Sequence, residues 1–368
     1  MSWLVTGVSD RTNAVQHPER FAAGVLRQSS RAVALLALDA LTKSRPELVD
    51  GGLPSTFADP VDDTRMRILA LAESLDVDRP QLLAHQSAWY KVALAHRNVA
   101  AAYLPENLQA IRSALRAELP AECQPAIDRH VDAALRAAAE APTEIPSYLE
   151  GDGPLRVEAR RFLLAVLENR RADAIDLVMG LRTAGVSVAD IHDHLLSTAQ
   201  REVGRMWLMS EIPIADEHFA SRIVESCLDR MSTMSTAPIR RNRTVLMFAV
   251  GGDMHAIGLR MVADRFEAHG YDVWNLGADM PGHDFEWMLQ DRKVDLIALG
   301  ATLVLHVGSA RATIAQLRDA LGRHCPPILV GGGPFAVVDD LHRVVGADAV
   351  ANDPNTAVRR GEELLAVR

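Results

Sequence analysis

Asp253 and His255 stand two residues apart in a glycine-rich turn after an apolar run, within the stretch MFAVGGDMHAIGLRM, Met247 to Met261. A carboxylate and an imidazole with almost no bulk around them suit three kinds of ligand: phosphate, zinc or a large macrocycle. A histidine offered to a metal through one ring nitrogen needs an acceptor on the other, which fixes the tautomer and raises basicity. Asp253 is placed to be that acceptor. Gly258 follows at the start of a helical pattern and would let a bulky group lie against the backbone. Phosphate is poorly served, because the GxGxxG spacing is absent. Zinc needs more ligands, and no second His/Cys cluster has the spacing. An isolated Asp-x-His is more often a surface turn than a metal ligand.

The elements around this turn give it a place. From Thr244 onward strands alternate with helical patterns: TVLMFAV, YDVWNLG, DLIALGAT, PILVGG and DAVAN are short, apolar and rich in branched residues. Strands buried on both faces read this way. Helical stretches between them imply right-handed crossovers and an α/β doubly wound parallel sheet, a Rossmann-like arrangement with ligands at the carboxyl ends of the strands. Asp253 and His255 end the first strand, Gly300-Ala301-Thr302 the third and Gly331-Gly332 the fourth, so all three sites gather on one edge.

Two further segments precede the sheet. Leu155 to about Met234 carries four helical patterns with short connections, the signature of a four-helix bundle. Gly185 is a helix-stop signal, and Ser187 with Asp190 an N-terminal cap. The chain up to about Ala141 is all-α, about six helices in a globin-like or bundle packing, with Pro105 expected at a helix N1 position. Punctuation at Glu140–Pro154 and Ser232–Arg243 separates a helical module (1–145), a bundle cap (150–236) and the sheet domain (240–368).

Composition narrows the function. A net charge of -9 argues against bulk attraction to nucleic acid or an anionic membrane. Cys123, Cys227 and Cys325 form no CxxC pair, which fits reduced thiols and a cytoplasmic protein. The N-terminal stretch is too short in apolar length for a signal peptide, and no run approaches the roughly 20 apolar residues of a membrane span.

The three-part spacing is more specific than any part alone. Between Gly258 and Gly300 lie 41 residues, and 28 residues separate Thr302 from Gly331. The pattern resembles the cobalamin-binding domain shared by methionine synthase, corrinoid carriers and carbon-skeleton mutases, over about 125 residues. That resemblance implies a base-off cofactor with His255 as the lower axial ligand of cobalt. It further implies cofactor contacts from Asp253, Ala256, Gly258, Thr302, Leu303, Gly331 and Gly332. The family's serine is replaced by Gly300, with Thr302 keeping a hydroxyl nearby.

Trp207, nine intervening residues, then Glu217-His218 resembles the bundle of light-dependent adenosylcobalamin repressors of carotenoid synthesis. There the tryptophan packs on the adenosyl group and the glutamate bonds its ribose. The histidine that follows the tryptophan in those repressors is Leu208 here, which leaves His218 or water for the upper face. A helical module ahead of this pair, without a basic recognition helix, is similar to the photocobilins, which add a bilin in a globin-like domain. A noncovalent biliverdin pocket would draw on His85, Trp89, Tyr90, His96, Arg97 and Tyr103, all expected on one helix. Haem on His85 or His96 competes with that reading. The function expected from these resemblances is a light sensor and not an enzyme. It would hold adenosylcobalamin and change shape, self-association or binding to a downstream signalling protein on photolysis, with no DNA-binding module. The alternatives are a corrinoid methyl carrier of a methyltransferase system, or a haem or redox sensor on the same scaffold.

Overall fold

Proline sets the start of most of the N-terminal helices in the computed structural model, which describes residues 16–49, 59–232, 240–281, 289 and 292–366. Pro18, Pro60 and Pro80 open α1 (Pro18–Ser44), α2 (Pro60–Asp76) and α3 (Pro80–Ala95), where a missing N–H costs nothing. Asp59 caps α2, its Oδ1 accepting from the amides of Val61 (2.9 Å) and Asp62 (3.1 Å). A non-helical Ser29 bends α1 into two pieces. α4 (Tyr103–Glu118) and α5 (Gln124–Glu140) complete the long helices of this part. Pro105 falls at the third position of α4 and not at N1, still within the turn whose N–H groups lack intrahelical partners.

The chain divides into two compact units. The first holds residues 1–143 with two later segments, 303–308 and 333–345. Inside it, Glu73 accepts from the Gly308 amide at 2.6 Å, and Arg79 pairs with Asp340 at 2.5 Å. Its interior carries a buried ion pair, Arg67 with Asp63 at 2.7 Å. The Arg67 guanidinium lies 4.6 Å from the Tyr90 ring centre and 5.4 Å from that of Tyr103. Asn107 accepts from Arg67 (3.1 Å) and donates to Thr64 (2.9 Å).

The second unit joins bundle and sheet. Its bundle is α6 (Arg156–Leu167), α7 (Arg171–Thr183), a three-part α8 and α9 (Ile214–Ser232). α8 begins at Val188–Asp190, widens to a π stretch over Ile191–Leu196 and continues as Ser197–Leu208. Ser187 Oγ accepts from the Asp190 amide at 3.0 Å, the expected cap, and Gly185 takes φ +89° after α7. Phe162, Ile191, Leu195, Ile223 and Met231 are among the buried core residues. Met261 joins that core from the sheet's first helix, so bundle and sheet share apolar packing. The stretch read as a first linker is pinned to the bundle: the Tyr148 amide donates to Glu202 at 2.7 Å, and Arg160 donates to the Leu149 carbonyl. Most of the second punctuation point, 233–239, lies outside the described residues.

β1 (Thr244–Ala249), β2 (Asp272–Asn275), β3 (Leu296–Gly300), β4 (Ile328–Gly331) and β5 (Ala349–Val350) form one parallel sheet in the order β2-β1-β3-β4-β5. Between them run α10 (Ile257–Ala268), α11 (Val307–Leu321), the short α12 (Gly333–Val337) and α13 (Leu341–Val344), and then α14 (Pro354–Ala366). Phe266 of α10 is fully buried on one face of the sheet. A Cβ on Gly361 of α14 would sit 2.8 Å from its ring, so that glycine sets the approach of α14. The register places Ala249 opposite Gly300 and Gly300 opposite Gly331. Three carboxyl ends thus finish level, beside the point where strand order reverses. Among the described residues, no helix is long and apolar enough to cross a membrane.

Candidate functional site

The turn after β1 is built by backbone bonds. Asp253 donates its amide to the Val250 carbonyl (2.9 Å), and Gly252 takes φ +88°, which a side chain would resist. The Gly252 amide donates to Asp279 at 2.7 Å, tying the turn to the loop after β2. Asp253 is thereby held fully buried, while the His255 side chain remains about 55% exposed. Asp253 Oδ1 faces both the His255 amide (3.0 Å) and its Nδ1 (2.8 Å). Oδ2 accepts from the Thr302 amide at 2.6 Å. One carboxylate therefore orients the imidazole and joins the ends of β1 and β3. That hydrogen bond raises the His255 pKa above its ordinary 6.5 against the opposing effect of burial, with smaller help from the charges of Asp253 and Glu217.

A cavity of about 310 Å³ opens beside this pair. It is lined by His255, Gly258, Leu259, Met261 and Val262, by residues 298–302 and 329–332 at the ends of β3 and β4, and by Ala351–Pro354 and Ala357. Asp193, Ser197 and Arg201 of α8 close its bundle side. Of the sequence-derived candidates, His255, Gly258, Thr302, Gly331 and Gly332 meet here. Ala256 caps α10, its carbonyl accepting from Arg260 at 2.9 Å, and Leu303 is 40% exposed in the first unit.

The glycines differ in what requires them. A Cβ on Gly332 would lie 2.1 Å from the Ala301 carbonyl oxygen, at φ +118°, and one on Gly331 would lie 2.6 Å from the Ala351 oxygen. Those two are demanded by the protein's own backbone. Gly300 meets only ordinary contacts, the nearest at 3.8 Å, and Gly258 would meet nothing within 4 Å. The empty space at Gly258 belongs to the cavity.

Trp207, Glu217 and His218 are not among this cavity's lining residues. Trp207 packs half-buried against the bundle core near the end of α8. Glu217 opens α9 and has both oxygens engaged, by Ser221 Oγ (2.8 Å) and by Nδ1 of the exposed His218 (2.6 Å). Ser221 in turn accepts from Gln200 of α8 at 2.8 Å. Neither Ser221 nor Gln200 was legible as a site residue, since a lone Ser or Gln at helical spacing carries no motif. The same holds for Asp193, Ser197, Arg201 and Asp353.

The six candidates for a bilin pocket do not share a helix. α3 ends at Ala95, His96 caps it, Asn98 turns left-handed at φ +56°, and Tyr103 begins α4. Asparagine tolerates that conformation, so the chain reverses where the periodicity ran on. Tyr90 and Tyr103 are buried around Arg67, and burial pushes the Tyr90 phenol up to about 12. Arg97 is buried with Nη1 on the Ala93 carbonyl (2.8 Å), and His96 Nε2 lies 2.9 Å from the Thr143 carbonyl oxygen. Burial lowers the His85 pKa, and Trp89 meets Tyr90 edge-on with ring centres 5.3 Å apart.

Two family matches agree with the geometry. Residues 243–360 match a family described as B12 binding domain, and residues 158–231 match a second B12 binding domain family. Sheet and bundle thus each match a B12 binding domain family, which supports a cobalamin-binding relationship for this part of the chain. Dimethylamine corrinoid protein 1 of Methanosarcina acetivorans is 27% identical over 45% of this chain and 75% of its own length. Dimethylamine corrinoid protein 3 of the same organism is 24% identical over 55% of this chain and 93% of its own. Among solved structures, the monomethylamine corrinoid protein of Methanosarcina barkeri covers 56% of this chain and 97% of its own at 22% identity, with a TM-score of 0.48. The named relatives are corrinoid proteins of a methylated amine. That overturns the expectation of a light sensor that is not an enzyme, and favours the carrier alternative.

Proposed function

We propose that this protein is a corrinoid methyl carrier of a methyltransferase system, holding cobalamin between bundle and sheet. The observation that carries the reading is the fixed Asp253–His255 pair at the level ends of β1 and β3, beside a cavity with open space over Gly258. The residues fit the cofactor. His255 offers an imidazole whose Nδ1 is oriented by a buried carboxylate, which leaves Nε2 as the atom to meet cobalt. Gly258, Gly300 and Thr302 line the cavity and would hold part of the cofactor there. When bound, cobalamin supplies a cobalt centre that accepts and gives up a methyl group. Asp253 keeps the proton of the pair on Nδ1, and the Thr302 amide keeps Asp253 still. The relatives' names support a methylated amine as the ultimate methyl source.

The test is reconstitution with cobalamin, followed by reduction and electron paramagnetic resonance of the cobalt(II) form. Nitrogen splitting that changes on ¹⁵N-histidine labelling and vanishes in His255→Ala establishes the lower ligand. Methylcobalamin-loaded protein that surrenders its methyl group to a thiol acceptor, in the presence of a corrinoid-dependent methyltransferase, establishes the carrier. A cofactor retained as adenosylcobalamin, inert in methyl exchange and altering the protein's self-association only on illumination, would overturn it.

A further inference from the structure

We infer that Asp193 is a positioning residue for cobalamin, accepting a hydrogen bond from the N–H of a peripheral propionamide on the cofactor's lower face. The inference rests on the cobalamin reading and adds a residue to it. Asp193 lines the same cavity as His255, and its side chain is 28% exposed. It lies in the π stretch of α8, Ile191–Leu196. The buried side of α8 runs through Leu195, Ala199 and Val203, and the cavity side through Asp193, Ser197 and Arg201, both at four-residue steps. A π turn is wide enough for such a step to come close to a full turn, so Asp193 stays over Ser197 instead of drifting towards the core. Wide turns of this kind recur at functional sites.

The contact that holds Asp193 leaves part of it unused. Its anchor is the buried Arg265 of α10, whose Nη2 donates to both carboxylate oxygens, at 3.2 Å and 3.1 Å. Nη1 of the same guanidinium donates to Asn355, near the start of α14. Charge-assisted bonds are usually about 2.7–2.9 Å, and a full arginine fork gives each oxygen its own nitrogen. Here one nitrogen serves both oxygens, so the pair fixes the carboxylate without saturating it. A carboxylate can accept about four hydrogen bonds, which leaves capacity for a donor brought into the cavity. The cofactor's chemistry selects that donor. Cobalamin carries its propionamides on the face of the lower axial ligand and its acetamides on the opposite face. A residue that shares a cavity with His255 therefore meets the propionamides. Their primary amides bring an N–H to a fixed anion, a stronger bond than one between neutral groups.

The probes are cobalamin and its b-, d- and e-monocarboxylates, in each of which a single propionamide is hydrolysed to a carboxylate. Binding is read by quenching of tryptophan fluorescence and checked by co-elution on gel filtration. Wild-type protein is expected to bind one monocarboxylate about thirtyfold more weakly than cobalamin, because that probe brings a charge of the same sign and no N–H. Added salt should narrow the gap, since Asp193 is partly exposed. In Asp193→Asn the Arg265 guanidinium, which only donates, keeps the amide oxygen and turns the NH₂ to the cavity. The same monocarboxylate should then bind at least as tightly as cobalamin, a reversal that a merely structural ion pair would not produce. If loss of the charge beside Arg265 unfolds that variant, Asp193→Asn combined with Arg265→Met removes the stranded cation, and the gap should close. Equal affinities for all the probes in wild type would overturn the role of Asp193 alone. So would a gap unchanged in the variants, which would pass the discrimination to the cavity's other carboxylate, Asp353. Failure of the wild-type protein to bind any corrinoid would overturn both this role and the cobalamin reading.

Discussion

Gly258 and Gly332 look alike in sequence and should respond oppositely to substitution. In Gly332→Ala the new Cβ meets the Ala301 carbonyl oxygen at 2.1 Å on a backbone with φ +118°. Neither atom is the end of a flexible side chain, so β4 or the Ala301 turn must move. A cost of about 3 kcal/mol follows from strain of this kind, which in a unit of this size lowers Tm by roughly 6–12 °C. Gly258→Leu places its Cβ where nothing lies within 4 Å, at the second residue of α10. Leucine also favours the helix over glycine by up to about 1 kcal/mol, so apo stability should hold or rise slightly. Its isobutyl group then occupies part of a cavity of only about 310 Å³. Loss of cobalamin affinity by at least about a hundredfold is expected, about 2.8 kcal/mol. Thermal unfolding of the two apo variants, paired with hydroxocobalamin titration followed by absorbance, measures both effects. A Gly258→Leu protein that melts as low as Gly332→Ala, or that binds cobalamin like wild type, refutes the assignment of that space to the ligand.

Other perturbations test the surrounding network. His255, whose pKa is raised chiefly by its bond to Asp253, should titrate above 6.5 in the apo protein and fall toward 6.5 in Asp253→Asn, as read by NMR of the imidazole. The attraction behind that raised value stabilises the apo fold below pH 6.5 and fades as pH rises through the folded pKa. Cobalt coordination, competing with the proton, should strengthen over the same rise. His192 is fully buried in the π stretch of α8, with neither ring nitrogen hydrogen-bonded among the described residues and Asp264 3.7 Å away. Burial, helped by the charges of Arg265 and Arg260, pushes its pKa down to about 4. The unfolded chain therefore takes up the proton first, and stability should fall by about 3 kcal/mol as pH drops from 6.5 to 4. In His192→Leu that part of the slope should disappear from urea unfolding curves at stepped pH. Asp63→Asn strands the buried Arg67 guanidinium and should cost about 3–5 kcal/mol in the same assay; a change under 1 kcal/mol would mean that Arg67 finds another partner.

Much of the sheet could be read directly. Five apolar runs rich in branched residues fall where β1 to β5 lie, because a strand buried on both faces must be apolar throughout. The four bundle helices and the Ser187 cap followed from periodicity and local hydrogen-bonding chemistry, which act within a few residues. The Asp253–His255 bond was equally accessible, since its partners are two residues apart. Periodicity failed between α3 and α4, because the apolar spacing carried on through a turn that Asn98 permits without announcing.

The amino-acid sequence by itself thus determined most of the elements, the Asp253–His255 pair and the spacing that resembles a cobalamin-binding pattern. Only the tertiary structure decided which oxygen of Asp253 is held by Thr302, which glycines serve the backbone and which the cavity, and which residues of α8 close that cavity. Those properties arise from strand register and helix packing between residues far apart along the chain, 20 positions for Gly331 and Ala351, 31 for Gly332 and Ala301 and 49 for Asp253 and Thr302. No local pattern records such meetings, because side-chain identity constrains a contact only after the fold has brought its partner within reach.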